Sequence, residues 1–266
     1  MIVTDLGGTW VRAGLIGEAP SIVRRTPKSR GALLEMLAEI VASHCGERVI
    51  GVACPGIVDR HGFVRVSFLP QLDQLDLACE LREAGALTAV VLNDVDAQAL
   101  GSVRADELLA VIGCGTRIGG SVISHVDPEL NRERYQGEFG HVPCGSRSNA
   151  VCECGARDCL DLAIAGFRLE ARYGSWWNDE SKRAEVTLVV ADALSEAVRS
   201  IQVCVGPDRV LITGRLTDHQ DVRARVLANV SSTIWTETAI EFLPNTWSAV
   251  GRGLSRVFED QTQSER

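Results

Sequence analysis

Residues 2–16 read IVTDLGGTWVRAGLI, and this stretch decides the fold. Two apolar, β-branched runs, Ile2–Asp5 and Val11–Ile16, flank Gly7 and Gly8. A glycine pair between two such runs is typical of a tight turn. The pattern therefore predicts two strands joined as a hairpin, with Asp5 at the end of the first.

The next eighty residues alternate helical and strand-like patterns. Apolar residues recur at helical spacing at Leu33, Leu37, Ile40 and Val41. The predicted elements that follow are the strands Val49–Ala53 and Val90–Asn93 and the helix Asp96–Gly101. A hairpin followed by strands that helices separate is typical of an α/β layer rather than a β-sandwich.

A second α/β segment begins with the apolar runs Leu109–Gly113 and Ile118–Ile123, again separated by a glycine-containing turn. This echo predicts two lobes, residues 1–107 and 108–246, with residues 247–266 packing back on the first. The later elements that the pattern predicts are a helix at Val186–Val203, a strand at Arg209–Thr213 and a terminal helix at Trp247–Phe258.

Charge and hydropathy exclude several classes of partner. The formal net charge is −8 and the sequence has no basic run, so a nucleic-acid backbone would be repelled. No stretch reaches the roughly 20 apolar residues of a membrane-spanning helix, and residues 1–5 lack the basic and apolar regions expected of a signal peptide. We therefore expect a cytoplasmic protein that binds neither nucleic acid nor membrane.

Both glycine turns have the composition of a phosphate-binding loop. The first is Asp5–Thr9, which offers a carboxylate, two glycines and a hydroxyl; the second is Gly113–Gly120. Glycine lets backbone amides approach a phosphate, and Asp5 could hold Mg²⁺ through water. The alternative is that both are plain hairpin turns, with Asp5 as a capping residue.

Asn93 and Asp94 end an apolar strand and open the following helix. Ligand chemistry in α/β folds usually lies at such strand ends. Asp94 could accept a proton from a hydroxyl that attacks a phosphate, and Asn93 would then position that substrate. The alternative role for Asp94 is that of a helix N-cap.

His141, Cys152, Cys154 and Cys159 offer one imidazole and three thiols within nineteen positions. This set matches a closed tetrahedral zinc site, and because all four ligands come from protein, the metal would be structural rather than hydrolytic. Two alternatives remain: the cysteines could be reduced core residues, or Cys144 could replace one of the ligands.

Taken in order, these motifs resemble the ROK family of sugar kinases and repressors. Asp5–Thr9 resembles its first phosphate motif, Cys54–Asp59 its Pro-Gly loop and Gly115–Gly120 its second phosphate turn. The most specific likeness is Gly137–His141 followed by Cys152–Asp161, which resembles the family's sugar and zinc signature. The resemblance implies a two-lobed actin-like ATPase fold built from ribonuclease-H-like lobes.

By the same resemblance, the chain is expected to be a glucokinase-like kinase that uses ATP, Mg²⁺ and structural Zn²⁺ to phosphorylate a hexose, at the 6-hydroxyl. Homodimers are also expected. The implied site residues are Asp94 as base; Asn93, Glu138, His141 and Asp161 for the sugar; Asp5, Gly7, Gly8, Thr9, Gly115, Thr116 and Gly214 for the nucleotide; and His141, Cys152, Cys154 and Cys159 for the metal.

Several positions differ from the family pattern, including Asp158, which replaces a customary glycine, and Ser121 in the second phosphate turn. Asp161 stands where Glu is usual, Arg117 stands where glycine is common, and Thr213–Leu216 keeps only part of the adenosine loop. These differences leave alternatives open: a kinase of N-acetylmannosamine or N-acetylglucosamine, another phosphoryl donor, or a non-catalytic sugar sensor with a degenerate nucleotide site. A DNA-binding repressor and a zinc-ribbon interaction protein rank lower.

Overall fold

The computed structural model describes residues 1–44, 46–124, 137–145, 149–230 and 237–264. The chain forms two compact units. Unit 1 comprises Met1–Ser102 and Trp247–Arg266, and unit 2 comprises Val103–Thr246.

Unit 1 contains a five-stranded mixed sheet and a small three-stranded antiparallel sheet. Its strands are β1 (Ile2–Leu6), β2 (Trp10–Leu15), β3 (Ile22–Arg25), β4 (Val49–Cys54), β5 (Ile57–Val58), β6 (Phe63–Arg65), β7 (Leu75–Asp76) and β8 (Thr88–Asn93). The large sheet has the order β3-β2-β1-β4-β8, in which β1 and β2 form the predicted hairpin and β1, β4 and β8 run parallel. The continuous apolar run of β4 fits its place between two neighbours, where both faces are buried.

Four helices cover this sheet: α1 (Arg30–Ser43), α2 (Leu77–Glu83), α3 (Asp94–Leu100) and, from the end of the chain, α8 (Trp247–Ser264). Helices α3 and α8 approach closely because glycines remove side chains from their contact. A Cβ atom on Gly253 would lie 2.0 Å from the carbonyl oxygen of Ala97, and one on Gly101 would lie 1.8 Å from that of Ala249. The C-terminal helix thus holds α3, which begins at Asp94.

Unit 2 repeats the hairpin-plus-parallel-strand arrangement in a four-stranded sheet. Its strands are β9 (Leu108–Cys114), β10 (Ile118–Ser124), β11 (Arg209–Thr213) and β12 (Ala239–Leu243), in the order β10-β9-β11-β12. Strands β9 and β10 are antiparallel, whereas β9, β11 and β12 are parallel. Arg209 is buried and its guanidinium lies 2.7 Å from the carboxylate of Glu107, so the buried charge is paired.

The α-helices in the described part of unit 2 are α4 (Leu160–Ile164), α5 (Gly166–Tyr173), α6 (Glu180–Val205) and α7 (Gln220–Val230). Helix α6 supplies much of the core and ends at Gly206, whose φ of +63° is the left-handed conformation that glycine adopts readily. Among the described residues, no helix combines the length and apolar character needed to cross a bilayer.

Candidate active site

Three parallel strands of unit 1 end at the same edge of the sheet and bring the first predicted residues together. Asp5 on β1 is in register with Ala53 on β4, and Cys54 on β4 is in register with Asn93 on β8. The charges of Asp5 and Asp94 both raise the pKa of the buried Cys54 thiol, after the larger effect of its burial. Asp5, Asn93 and Asp94 therefore share one edge of the sheet.

Asn93 is the N-cap of α3, a role that the sequence pattern also allows for Asp94. Its Oδ1 accepts hydrogen bonds from the amides of Val95 (2.8 Å) and Asp96 (3.1 Å). Its Nδ2 donates to the carbonyl oxygen of Gly56, 2.8 Å away. Asn93 thus fixes both the start of the helix and the loop after β4, and the side chain of Asp94 is not needed as the cap.

Asp94 is half-buried at the start of α3. Burial and, after it, the negative charge of Asp5 raise the pKa of Asp94 to about 7. A carboxyl group with such a pKa exchanges its proton near neutral pH, as a general base requires. The raised pKa and the strand-end position make Asp94 a candidate acid-base residue.

Arg12 is a further candidate site residue, which the sequence patterns did not indicate. It lies opposite Asp5 in the hairpin register, and its Nε donates to Oδ2 of Asp5 at 3.1 Å, while its Nη2 makes a second contact with the same oxygen. The glycine pair alone does not indicate this contact: a two-residue turn at Gly7 and Gly8 would pair residue 5 with residue 10, whereas the observed register pairs Leu6 with Val11 and so residue 5 with residue 12. A cation beside this turn suits a phosphate ligand.

Both backbone polar groups of Gly7 make hydrogen bonds that hold the first glycine turn in shape. The amide of Gly7 donates to the carbonyl oxygen of Trp10 at 2.8 Å, and the carbonyl oxygen of Gly7 accepts from Oγ1 of Thr26 at 2.6 Å. Gly8 is half-buried and Thr9 is exposed. Gly7 therefore shapes the turn, and its amide is already engaged.

The second turn lies at the end of β9 in unit 2. The register places Gly113 beside Thr213 of β11, so Gly115 and Gly214 both follow strand ends at one edge of this sheet. A Cβ atom on Gly214, whose φ is +94°, would lie 2.3 Å from the carbonyl oxygen of Cys114. The sheet thus brings together the second turn and the shortened adenosine loop.

The carbonyls of the second turn are held by α5. Gly115 and Thr116 accept hydrogen bonds through their carbonyl oxygens from the amides of Gly166 (3.1 Å) and Phe167 (3.4 Å). These are the first residues of α5. The conformation of the turn therefore depends on where that helix begins.

Asp161, predicted to contact a sugar, is 1% exposed and is bound inside unit 2. Its Oδ1 accepts from Nε of Arg117 at 3.0 Å and from the amide of Ile118 at 2.9 Å. Among the described residues, no donor makes a hydrogen bond to its Oδ2, and Nε of Arg168 lies 3.9 Å away. Asp161 thus has one engaged oxygen and one that could accept a further hydrogen bond.

Glu138 and His141 lie on a short segment that packs against β10. Glu138 is exposed, and residues Phe139–His141 form one turn of 3₁₀ helix. A Cβ atom on Gly140 would lie 2.2 Å from the carbonyl oxygen of Ile118, and one on Gly120 would lie 1.9 Å from that of Gly137. These glycines therefore allow the Glu138 segment to approach the strand.

The predicted metal ligands form a cluster. One ligand atom from each of His141, Cys152, Cys154 and Cys159 lies within 4.8 Å of all the others. Nδ1 of His141 is 3.3 Å from Sγ of Cys152, and the Sγ atoms of Cys154 and Cys159 are 3.3 Å apart. A tetrahedral ion with Zn–S bonds of about 2.3 Å places sulfurs roughly 3.8 Å apart, so the cluster fits zinc with little adjustment.

The thiols of this cluster have different electrostatic surroundings. The pKa of the Cys154 thiol is lowered to about 7, chiefly by a hydrogen bond from the Ala156 amide and, to a smaller extent, by a hydrogen bond with Cys159. Burial raises the pKa of Cys159. Cys144 lies outside the four-residue group, and its Sγ is 3.4 Å from the carbonyl oxygen of Asp158.

A protein-family model described as the ROK family matches residues 1–246. The chain is similar to a glucokinase of Thermotoga maritima, with 30% identity over 183 residues, which are 62% of this chain and 57% of the glucokinase. It is also similar to the N-acetylgalactosamine kinase AgaK of Shewanella sp. (strain ANA-3), with 26% identity and 83% of each chain covered. The chain thus spans little more than half the length of the first of these relatives.

The fold is that of a solved ROK family glucokinase from Streptomyces griseus, determined in complex with glucose and AMPPNP. The two structures superpose with a TM-score of 0.73 at 18% identity, over 96% of this chain and 98% of the other. This similarity confirms the predicted fold class, the α/β fold of actin-like ATPases.

Proposed function

The chain belongs to the ROK family, and on that premise we propose that it is an ATP-dependent sugar kinase that phosphorylates a hexose. The named activities of its relatives, a glucokinase and an N-acetylgalactosamine kinase, support a sugar as the phosphoryl acceptor. The AMPPNP bound to the Streptomyces griseus glucokinase supports ATP as the donor. The expected product is a hexose 6-phosphate; N-acetylhexosamines are the alternative acceptors.

The single observation that carries this proposal is the environment of Asp94. A half-buried carboxylate at a strand end, with a pKa near 7, can take the proton of a sugar hydroxyl as that oxygen attacks the terminal phosphorus. Asn93 contributes by fixing the start of α3, so that the base has one orientation. Glu138, which is exposed, would accept a hydrogen bond from another sugar hydroxyl, together with His141; the second oxygen of Asp161, which is buried and has no hydrogen-bond donor among the described residues, is the third candidate acceptor.

The two glycine turns would bind the nucleotide. Thr9 and Gly8 in the first turn, and Gly115, Thr116 and Gly214 in unit 2, would contact the donor, with Arg12 as an added cation. Bound Mg²⁺ supplies charge neutralisation on the triphosphate. Asp5 fits as the carboxylate that would hold this ion through water, since it sits at a strand end beside the turn.

Zinc would serve structure rather than chemistry. The four protein ligands fill a tetrahedral coordination sphere and leave no position for a water molecule. His141 would link the metal cluster to the sugar, because one of its nitrogens faces the thiols and the other is left for a second partner.

A panel of hexoses and N-acetylhexosamines tests the proposed activity. We expect ADP to form from Mg·ATP only when one of these sugars is present, as measured in a coupled spectrophotometric assay. Polyphosphate in place of ATP tests the donor.

Calorimetry distinguishes the second candidate function, a non-catalytic sugar sensor. This candidate is favoured by Arg117, whose guanidinium is engaged by Asp161, and such a protein would bind a sugar but no nucleotide.

The rate should depend on pH through Asp94. Because only the deprotonated carboxylate accepts a proton, kcat/KM should fall about tenfold per pH unit below about 7 and level off above it. The profile is measured between pH 5 and 9 with a buffer series of constant ionic strength. An acid limb near pH 4, the value of an ordinary carboxyl group, would contradict this assignment.

A further inference from the structure

Arg117 in the second glycine turn joins that turn to the predicted zinc loop. Its Nε is 3.0 Å from Oδ1 of Asp161, and its Nη1 is 3.3 Å from Oε1 of Glu153. The guanidinium also lies over the ring of Phe167, 5.6 Å from its centre. The Arg117 side chain therefore connects the turn that would hold the nucleotide to Asp161, Glu153 and Phe167.

Both acidic partners of Arg117 are attached to metal ligands. Glu153 lies between Cys152 and Cys154, and Asp161 follows Cys159 by two residues. Cys159 is also the N-cap of α4, and Asp161 lies in the first turn of that helix. An ion that fixes the three cysteines therefore also fixes both carboxylates.

The backbone provides a second connection between the cluster and the turn. Helix α4 follows Cys159 and leads directly into α5, whose first amides bind the carbonyl oxygens of Gly115 and Thr116. The oxygen of Asp161 that holds Arg117 also accepts from the amide of Ile118, the first residue of β10. Displacing the start of α4 would therefore displace the turn.

We infer that zinc binding and nucleotide binding are thermodynamically linked in this protein, with Arg117 as the positioning residue that connects them. The inference rests on the proposed nucleotide role of the turn. Linkage is reciprocal, so zinc increases the affinity for nucleotide, and nucleotide increases the affinity for zinc by the same factor.

The exposed fraction of each side chain indicates which acidic partner of Arg117 contributes more to the linkage. The Asp161 side chain is 2% exposed, whereas that of Glu153 is 59% exposed. Exposed ion pairs contribute little because water and salt screen them, so most of the coupling should pass through Asp161. Replacing Arg117 should therefore remove more of the linkage than replacing Glu153.

The test measures zinc affinity by competition with a chromophoric chelator, with and without saturating Mg·ADP. For the unmodified protein we expect Mg·ADP to lower the zinc dissociation constant by about 5-fold or more, the lower end of typical coupling. Arg117→Ala should reduce this factor to below about 2, and Glu153→Gln should leave an intermediate value. Arg172→Ala is the matched control, since this exposed arginine of α5 contacts Tyr173 and should retain the full factor.

Calorimetric titration with Mg·ADP separates the two ways in which the inference can fail. If Mg·ADP binds but the zinc dissociation constant does not change, the linkage is refuted and the proposed function stands. If Arg117→Ala retains the full factor, Arg117 is not the connection. If Mg·ADP does not bind at all, the proposed nucleotide site fails and the linkage fails with it.

Discussion

Asp94→Asn should lower kcat for sugar phosphorylation by about 10²–10⁴-fold, with little change in KM for the sugar or ATP. The amide is similar in shape to the carboxylate but accepts no proton near neutral pH. It can still receive the hydrogen bond from the Val95 amide, which reaches Oδ1 of Asp94 at 3.0 Å. The loss should therefore appear in turnover rather than in binding, as measured by steady-state kinetics at pH 8.

Asp96→Asn is the matched control for this variant. Asp96 is a half-buried acid on the same helix, two residues away, and its charge has only a minor effect on Asp94. We expect its kcat at pH 8 to stay within about threefold of the unmodified enzyme. A similar fall in both variants would mean that the effect comes from α3 as a whole and not from the base.

Asp94→Asn should also stabilise the fold above pH 7. The pKa of Asp94 is raised, so the folded state favours the protonated form and pays a penalty when the group ionises. The gain in Asp94→Asn should be absent below pH 4, grow as the pH rises towards 7, and then level off at no more than about 4 kcal/mol. Urea denaturation at pH 4 and pH 8 measures the difference.

Loss of a zinc ligand should produce the largest change in stability. Cys159→Ser removes a fully buried thiol from the cluster, and metal binding to such sites contributes directly to folding. We expect the bound zinc to fall from about one ion per chain to near zero, and the free energy of unfolding to decrease by about 3 kcal/mol or more. Elemental analysis and denaturant titration measure the two quantities.

Two other cysteines serve as controls for the zinc prediction. Cys204→Ser changes an exposed thiol at the end of α6 and should retain zinc and stability. Cys144→Ser should also retain zinc, because Cys144 lies outside the ligand group, although its burial makes some loss of stability expected. Zinc loss in Cys144→Ser, with zinc retained in Cys159→Ser, would mean that the ligand set is wrong.

The sequence predicted those elements whose pattern lies within a few neighbouring residues. The hairpin around Gly7 and Gly8 needs only two apolar runs and a turn, and the cysteine spacing places three thiols within one short loop. Strand β12 was missed because its residues Ala239–Leu243 are all exposed or half-buried at the sheet edge. Without a buried face, such a strand has no strong alternating pattern.

The parts of the site that were not predicted depend on contacts between distant residues. The pairing of Arg117 with Asp161 joins positions 44 residues apart, so neither spacing nor propensity could indicate it. The same holds for Arg117 and Glu153, which are 36 residues apart. The capping role of Asn93 was hard to predict for a different reason. Asn and Asp are about equally good N-caps, and the two residues are adjacent here.

The most direct test of the proposed reaction is ³¹P NMR of a mixture of the protein, Mg·ATP and the sugar that gives the highest activity. For the unmodified protein we expect a phosphomonoester resonance that grows together with the ADP signals, and for Asp94→Asn we expect no such growth. Growth of inorganic phosphate alone, or an equal rate of sugar phosphorylation in both proteins, would contradict the proposed reaction.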